Sequence, residues 1–190
     1  QLAQEIFLKA KELKLANAVT YGTMLYVIAN CRDPNVDFAK SIFIEATKLK
    51  FCNPIACSSM FGVIANSADP DVKLAQSVFQ IAKDHHVVDR IVFASILNVI
   101  AKSHNPDVKL AQSFLTGARN RNLLSVQIYN TMLGVIAKSS NPHVKLARDI
   151  LDEAQKHGYA DGVTYATMLN VIANSRKPNI EFAKKILKEA

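Results

Sequence analysis

Histidine and cysteine side chains are the first candidates for chemistry in this chain, because both bind metal ions. Of the five histidines, His85 and His86 are adjacent, and adjacent residues on a helix point about 100° apart, which makes them poor joint ligands. Cys52 and Cys57 form a lone pair around Pro54, a weak pattern for zinc, which usually takes four ligands. We therefore expect solvated histidines, packed or free thiols, and no metal.

Serine is the next candidate, as the nucleophile of covalent catalysis. Ser58 and Ser59 are adjacent, but no histidine that could act as a base lies near them in sequence. A glycine-rich phosphate loop follows a strand, and the chain shows no strand-like alternation of apolar and polar residues. The sequence therefore predicts no catalytic residues, no enzyme activity, no cofactor and no small-molecule substrate.

The composition is that of a globular chain in which basic residues outnumber acidic ones. Its 190 residues are 49% hydrophobic and 21% charged, with a net charge of +7, which favours an anionic partner such as nucleic acid. The apolar runs are far shorter than the ~20 residues of a membrane helix, so we expect no membrane association. The number of cysteines is odd and small, which indicates a reducing, intracellular compartment rather than a disulfide framework.

The elements that position the polar side chains are internal repeats of 36 residues. Prolines, Ile-Ala pairs and alanines recur at this spacing, so three independent series agree. The prolines are Pro34, Pro70, Pro106, Pro142 and Pro178, and the alanines are Ala46, Ala82, Ala118, Ala154 and Ala190. The predicted repeats are 18–53, 54–89, 90–125 and 126–161, with the second helix of a preceding repeat at 1–17 and a partial repeat at 162–190.

Each repeat is predicted to form two helices. In the first helix, apolar residues follow the i, i+3, i+4, i+7 spacing of one face, as in Tyr21, Met24, Leu25 and Ile28. The loop proline ends this helix, and a polar residue after it caps the second helix. These caps are Asn35, Asp71, Asp107 and Asn179, with His143 as the weak member. Stacked helix pairs bury apolar surface that a single pair would leave exposed, so we predict an all-α, right-handed α-solenoid of helix-turn-helix repeats.

The two ends of the chain lead to a further expectation. The chain begins at Gln1 without a charged and apolar leader, so we expect no signal peptide. It ends at Ala190 within a helical pattern. The polar capping helices of a complete repeat array are missing from both ends, and we therefore expect the chain to be part of a longer protein.

The face of each first helix opposite the apolar wall changes from repeat to repeat. We call this face the first-helix stripe: Val19, Gly22, Thr23, Tyr26 and Asn30; Ile55, Ser58, Ser59, Gly62 and Asn66; Ile91, Ala94, Ser95, Asn98 and Lys102; Gln127, Asn130, Thr131, Gly134 and Lys138; and Val163, Ala166, Thr167, Asn170 and Asn174. It contains no Asp or Glu and ends in an amide or a lysine. One interpretation is a binding surface that accepts a phosphate backbone. The other is that small residues let neighbouring first helices pack closely.

The repeats resemble those of the pentatricopeptide repeat family over essentially the whole chain. The first-helix openings "VTYGTML", "VQIYNTML" and "VTYATMLNVIA" are similar to that family's signature, and so are "VDFAKSIFIEA" and "VKLARDILDEA" in the second helix. The repeats here have 36 residues where the family most often has one fewer. The resemblance implies binding of single-stranded RNA, one nucleotide per repeat, along the concave first-helix row.

The resemblance also implies which residues contact RNA. The residue after the first-helix aromatic reads the base together with the last residue of the repeat. The pairs are Gly22 with Asn53, Ser58 with Asp89, Ala94 with Ser125, and Asn130 with Asp161, while Ala166 has no partner. Asn130 with Asp161 implies uracil, Ser58 with Asp89 implies guanine, and Gly22 with Asn53 implies adenine. The base-sandwiching positions are Val19, Ile55, Ile91, Gln127 and Val163; the phosphate-contacting positions are Asn30, Asn66, Lys102, Lys138 and Asn174.

Three functions are therefore open at the level of sequence. The first is sequence-selective RNA binding in RNA processing, stability or translation. The second is a protein-interaction scaffold that holds a peptide or helix in the same groove. The third is an RNA-processing enzyme whose catalytic domain lies outside these residues. A eukaryotic member of the family is expected in a mitochondrion or plastid.

Overall fold

The computed structural model describes residues 2–189, and over that range the chain forms eleven α-helices and no strand. The helices are α1 (Leu2–Glu12), α2 (Ala18–Ala29), α3 (Val36–Lys48), α4 (Pro54–Asn66), α5 (Val72–Asp84), α6 (Arg90–Lys102), α7 (Val108–Asn120), α8 (Val126–Lys138), α9 (Val144–Lys156), α10 (Gly162–Asn174) and α11 (Ile180–Glu189). Gln1 and Ala190, the last member of the alanine series, lie outside the described residues. The predicted all-α class and the two helices per repeat are confirmed.

The chain divides into two compact units, Gln1–Val99 and Ile100–Ala190. In the first unit, α2 and α4 pack side by side, and α3 packs against both. In the second unit, α8 and α10 pack side by side, and α9 packs against both. We call α2, α4, α6, α8 and α10 first-type helices and the others second-type helices. The same packing in both units is that of a helical repeat.

The apolar wall predicted from the sequence forms the core of each unit. In α2 the wall residues Tyr21, Met24, Leu25 and Ile28 are all buried, and the equivalent residues of α8 are buried as well. The repeated alanines, such as Ala39 and Ala46 of α3, are fully buried where second-type helices approach the first-type helices. Burial of a leucine such as Leu25 contributes about 1.5–3 kcal/mol to the free energy of unfolding. None of the helices in residues 2–189 combines the length and the apolar character that crossing a bilayer requires.

The second-type helices begin at the predicted capping residues. The Asn35 side chain accepts a hydrogen bond from the Phe38 backbone N–H at 2.9 Å, and Asp71, Asp107 and Asn179 do the same one or more repeats later. At the weak position, Nδ1 of His143 accepts from the Leu146 backbone N–H at 3.3 Å. Each cap satisfies a donor that the first turn of a helix leaves open. The predicted caps are therefore confirmed, including the imidazole.

The turns that end α1, α3, α5, α7 and α9 form a fourth series, which the sequence analysis missed. Each contains one residue with a positive φ, and these residues are 36 apart: Lys14, Lys50, His86, Asn122 and Gly158. At Lys50 the backbone N–H donates to the Thr47 carbonyl at 3.1 Å, and the next N–H, of Phe51, donates to the Ala46 carbonyl at 2.8 Å. This is the Schellman arrangement. Ala46, Ala82, Ala118 and Ala154 of the alanine series therefore supply the carbonyls that close the last four of these turns.

Two polar clusters occupy equivalent places on the wall, three repeats apart. In the first, Lys11 Nζ lies 2.6 Å from Glu45 Oε2, and Tyr21 Oη donates to Glu45 Oε1 at 2.9 Å. Burial raises the pKa of Tyr21 to about 12, and the hydrogen bond to Glu45 adds to the rise. Burial acts to raise the pKa of Glu45, but the hydrogen bonds from Lys11 and Tyr21 outweigh it, and this pKa lies below its usual range.

The second cluster also combines a cation, a glutamate and a tyrosine, but its cation contacts both oxygens of the glutamate. Arg119 donates to Glu153 from Nε and from Nη2, each at 2.8 Å. This bidentate pair occupies both carboxylate oxygens. Tyr129 Oη is buried and, within the described residues, makes no hydrogen bond of good geometry. Burial, and then the charge of the nearby Glu153 carboxylate, raise the pKa of Tyr129. An unsatisfied buried hydroxyl is destabilising, whereas a satisfied one is not.

The two tyrosines should therefore respond in opposite ways to the same substitution. Tyr21→Phe removes a hydrogen bond to a partly exposed carboxylate, and we expect it to lower the free energy of unfolding by about 1 kcal/mol. Tyr129→Phe removes an unsatisfied hydroxyl, and we expect it to be neutral or to raise stability by up to about 1 kcal/mol. Urea denaturation followed by circular dichroism measures both variants. Equal losses from the two substitutions would contradict this account of the clusters.

Candidate nucleic-acid interface

The first-helix stripe begins, in each repeat, with a residue that the structure leaves exposed. Four of these five residues are branched aliphatics, and their exposed fractions are 73% for Val19, 64% for Ile55, 54% for Ile91 and 59% for Val163. The fifth, Gln127, is exposed as well. Exposed aliphatic residues are common singly, but here they recur at one position of the repeat. The structure thus places the predicted base-sandwiching residues where a ligand can reach them.

The five predicted base-reading residues within the first-type helices have different surroundings. Gly22 is buried, Ser58, Ala94 and Asn130 are half-buried, and Ala166 is exposed. The Ser58 hydroxyl donates to the Ile55 carbonyl of its own helix at 3.0 Å. No hydrogen bond joins Ser58 to Asp89 in the part of the chain that the structure describes. Ala94 and Ser125 lie in different compact units.

The last residues of the repeats have a structural role that the sequence analysis missed. Asn53, Ser125 and Asp161 are the N-caps of α4, α8 and α10. Asp89 likewise accepts from the Val92 backbone N–H at 2.9 Å at the start of α6. In the sequence, these caps could have been recognised as polar residues that directly precede an apolar helical run. These side chains therefore have a capping function, and RNA recognition by them stays a prediction.

Asn130 and Asp161 are the one predicted base-reading pair that the structure joins directly. Asn130 Nδ2 donates to Asp161 Oδ1 at 3.1 Å. The Thr164 hydroxyl lies 2.6 Å from Asn130 Oδ1 and 2.8 Å from Asp161 Oδ1, so its single proton serves one of these acceptors at a time. Hydrogen bonds from the Thr164 backbone N–H and then from the Asn130 amide hold the pKa of Asp161 below its usual range. Asp161 therefore remains ionised and keeps the Asn130 amide oriented.

The amides at the end of the stripe are engaged in hydrogen bonds to the backbone. Asn66 Nδ2 donates to the Ala29 carbonyl at 2.8 Å, and Asn174 Nδ2 donates to the Ala137 carbonyl at 3.0 Å. Each of these bonds satisfies a carbonyl in the last turn of the preceding first-type helix. Asn30, the C-cap residue that follows α2, donates from Nδ2 to the Tyr26 carbonyl of that helix at 2.8 Å. Phosphate contacts by these amides stay a prediction. In the structure, Asn66 and Asn174 each connect two first-type helices, and Asn30 caps the end of α2.

Lys102 and Lys138 supply the positive charge of the stripe. Both are exposed, and each is the last residue of its helix, α6 and α8 respectively. No acidic residue lies within the stripe itself, although the capping residues Asp89 and Asp161 flank it. An ammonium group on an exposed helix end is suited to a phosphate contact. Phosphate binding along the stripe would therefore depend mainly on these two lysines.

The glycines of the stripe separate the two interpretations of its small residues. A Cβ added to Gly62 would lie 3.2 Å from Ala29 Cβ, and one added to Gly22 would lie 3.4 Å from Ile55 Cγ2. Close packing of α2 on α4 therefore explains Gly62 and contributes to Gly22. A Cβ on Gly134 would meet nothing within 4 Å. Packing thus explains part of the stripe but does not explain Gly134.

Comparisons of the chain with models of known protein families, with curated proteins and with solved structures found no match. Within residues 2–189, no group of three or more His, Cys, Asp or Glu side chains is arranged to hold a metal ion. The features that favour a nucleic-acid interface are the repeated exposure pattern, the positive charge and the Asn130–Asp161 cluster.

Proposed function

We propose that this chain binds single-stranded RNA along the first-helix stripe, with about one nucleotide per repeat. The observation that carries the proposal is the exposure of Val19, Ile55, Ile91 and Val163 at the same position of their repeats. Splayed bases of single-stranded RNA offer apolar faces to such side chains and polar edges to a short neighbouring residue. In this proposal the repeats form a right-handed superhelix with the stripe on its concave face.

Recognition of the base edge is best supported in the fourth repeat. Asp161 holds Asn130 through a 3.1 Å hydrogen bond, and an amide offers both a donor and an acceptor. The uracil edge also carries both, so an oriented amide can pair with it, and the preference for uracil over the other bases is the one that the pentatricopeptide resemblance implies. Ala94 offers no hydrogen-bonding side chain, and we expect its repeat to accept several bases.

Binding of short fluorescent RNAs, followed by anisotropy against salt concentration, tests this function. We expect single-stranded RNA to bind more tightly than a duplex of the same sequence, because a duplex does not present its bases to the stripe. We also expect affinity to fall as salt rises, because phosphate contacts release counterions. Absence of binding, or binding that ignores both salt and strandedness, would contradict the proposal.

A protein-interaction scaffold is the second candidate, and a groove between α1 and α2 favours it. The groove has a volume of about 550 Å³, and Ile6, Phe7, Val19, Met24 and Val27 are among its lining residues. Such an apolar groove suits one face of an amphipathic helix. Recovery of a protein partner from cell extract that survives nuclease treatment, and is lost on Ile6→Asp, would favour this candidate over RNA binding.

A further inference from the structure

The start of α4 differs chemically from the start of every other first-type helix. Cys52 immediately precedes the N-cap Asn53, and Cys57 lies in the fourth helical position, with Pro54 as the first. Their sulfur atoms are 3.7 Å apart. Side chains at these two positions commonly contact each other and fix the entry of the chain into a helix. In α4, this contact is made by two thiols.

The equivalent positions in the other repeats hold apolar and aromatic residues. Ala16, Val88, Leu124 and Ala160 are equivalent to Cys52, and Tyr21, Phe93, Tyr129 and Tyr165 are equivalent to Cys57. Packing at the start of a first-type helix is therefore achieved without sulfur in four repeats. Cysteine at both positions of one repeat adds a capacity for chemistry that the other four lack.

The two thiols also differ from each other in exposure and acidity. Cys52 is half-buried, whereas Cys57 is fully buried. The hydrogen bond from Cys57 lowers the pKa of the Cys52 thiol, and although burial opposes this, Thr47 adds to the lowering. The hydrogen bond to Cys52 and then burial raise the pKa of Cys57. A more acidic, more accessible thiol thus lies beside a protonated, buried one, as in a pair of attacking and resolving cysteines.

We propose that Cys52 and Cys57 are a site of reversible oxidation, at which a hydroperoxide converts the two thiols into a disulfide. The Cys52 thiolate attacks one peroxide oxygen, the O–O bond breaks, and hydroxide leaves and takes up a proton, which gives a sulfenic acid on Cys52. The Cys57 sulfur then attacks the Cys52 sulfur, the S–O bond breaks, and a second water leaves with the Cys57 proton. Two thiols and one hydrogen peroxide thus give one disulfide and two waters.

The geometry requires only a small movement for this step. A disulfide needs the two sulfurs about 2.05 Å apart, so they must approach by less than 2 Å from their separation of 3.7 Å. The half-buried Cys52 side chain precedes the helix and can turn towards the fixed Cys57. Closure would link the residue before the N-cap to the first turn of α4. A reducing thiol pool reverses the reaction by thiol–disulfide exchange.

Peptide mass spectrometry of the whole chain tests the site. The protein is treated with hydrogen peroxide, remaining thiols are alkylated, and trypsin releases residues 51–73 with both cysteines and residues 15–32 with Cys31. We expect the first peptide to lose about 2 Da and both alkyl groups, and dithiothreitol to restore them. Cys31, an exposed thiol, is the internal control and should still be alkylated. Restoration by dithiothreitol separates the disulfide from sulfoxide formation at Met60, which this reductant does not reverse.

Single substitutions make the test decisive. In Cys57→Ser, Cys52 should stop at the sulfenic acid, which a dimedone probe captures, and no intramolecular disulfide should form. In Cys52→Ser, the buried Cys57 should resist peroxide. The proposal is overturned if residues 51–73 keep both free thiols at peroxide concentrations that oxidise Cys31, or if Cys52 passes directly to irreversible acids in the wild-type protein.

Discussion

Reversing the charge of Lys102 and Lys138 together is expected to weaken binding of single-stranded RNA by on the order of 100-fold at about 50 mM salt. The two exposed lysines are the cations of the first-helix stripe, and the stripe contains no acidic residue. Two phosphate contacts on a single strand contribute about 1.4 to the slope of log K against log salt. Lys102→Glu with Lys138→Glu should therefore reduce that slope by at least this amount, as measured by anisotropy titrations.

A matched double variant separates local contacts from net charge. Lys109 and Lys145 are exposed residues in the first turns of the second-type helices α7 and α9. Lys109→Glu with Lys145→Glu changes the net charge by the same amount and places carboxylates where the helix dipole favours them. We expect this variant to lose several-fold less affinity than the stripe variant. Equal losses would indicate that RNA responds to the overall charge and not to the stripe.

Ile64→Ala should cause the largest loss of stability, about 2–5 kcal/mol in the free energy of unfolding. Ile64 is fully buried in α4, within the wall that packs against α2 and α5. Loss of its side chain removes apolar burial and leaves a cavity that helices on both sides cannot easily fill. Urea unfolding followed by circular dichroism gives the change, with the slope checked because a repeat array can unfold in parts.

Ile55→Ala is the control for this prediction, since it makes the same change in the same helix. Ile55 is 64% exposed, so we expect its loss to alter stability by no more than about 0.5 kcal/mol. If Ile55 contacts a base, the same variant should bind RNA more weakly while remaining folded. A stability loss at Ile55 as large as that at Ile64 would show that the stripe is part of the core.

The sequence predicted the repeat, the helices and the wall because these depend on residue type at regular spacing. Pro34, Leu25 and Ala46 recur as the same or similar residues in each repeat, so their roles follow from local propensity and periodicity. The caps of the second-type helices were predicted for the same reason. Residues such as Asn35 and Asp71 follow the loop proline directly, and their side chains are of the types that accept hydrogen bonds from the backbone N–H groups at a helix N-terminus.

Other features were beyond sequence reasoning because their residue types vary or their partners are distant. The positive-φ positions are filled by Lys14, Lys50, His86 and Asn122 as well as by glycine, so no recurring residue type marks them. The hydrogen bond from Asn66 to the Ala29 carbonyl joins neighbouring helices, and its partner could not be identified from local pattern. The packing of Gly62 against Ala29 depends on the same helix approach.

The most direct test of the central claim is the base preference of Asn130→Ser. The resemblance implies that serine with Asp161 favours guanine, where asparagine with Asp161 favours uracil. Wild type and variant are each used to select binders from a library of randomised single-stranded RNA, and the recovered RNAs are sequenced. We expect one position to change from uracil to guanine while the other positions keep their preferences. If no position changes its base preference, or if all change together, the stripe does not read RNA one base per repeat.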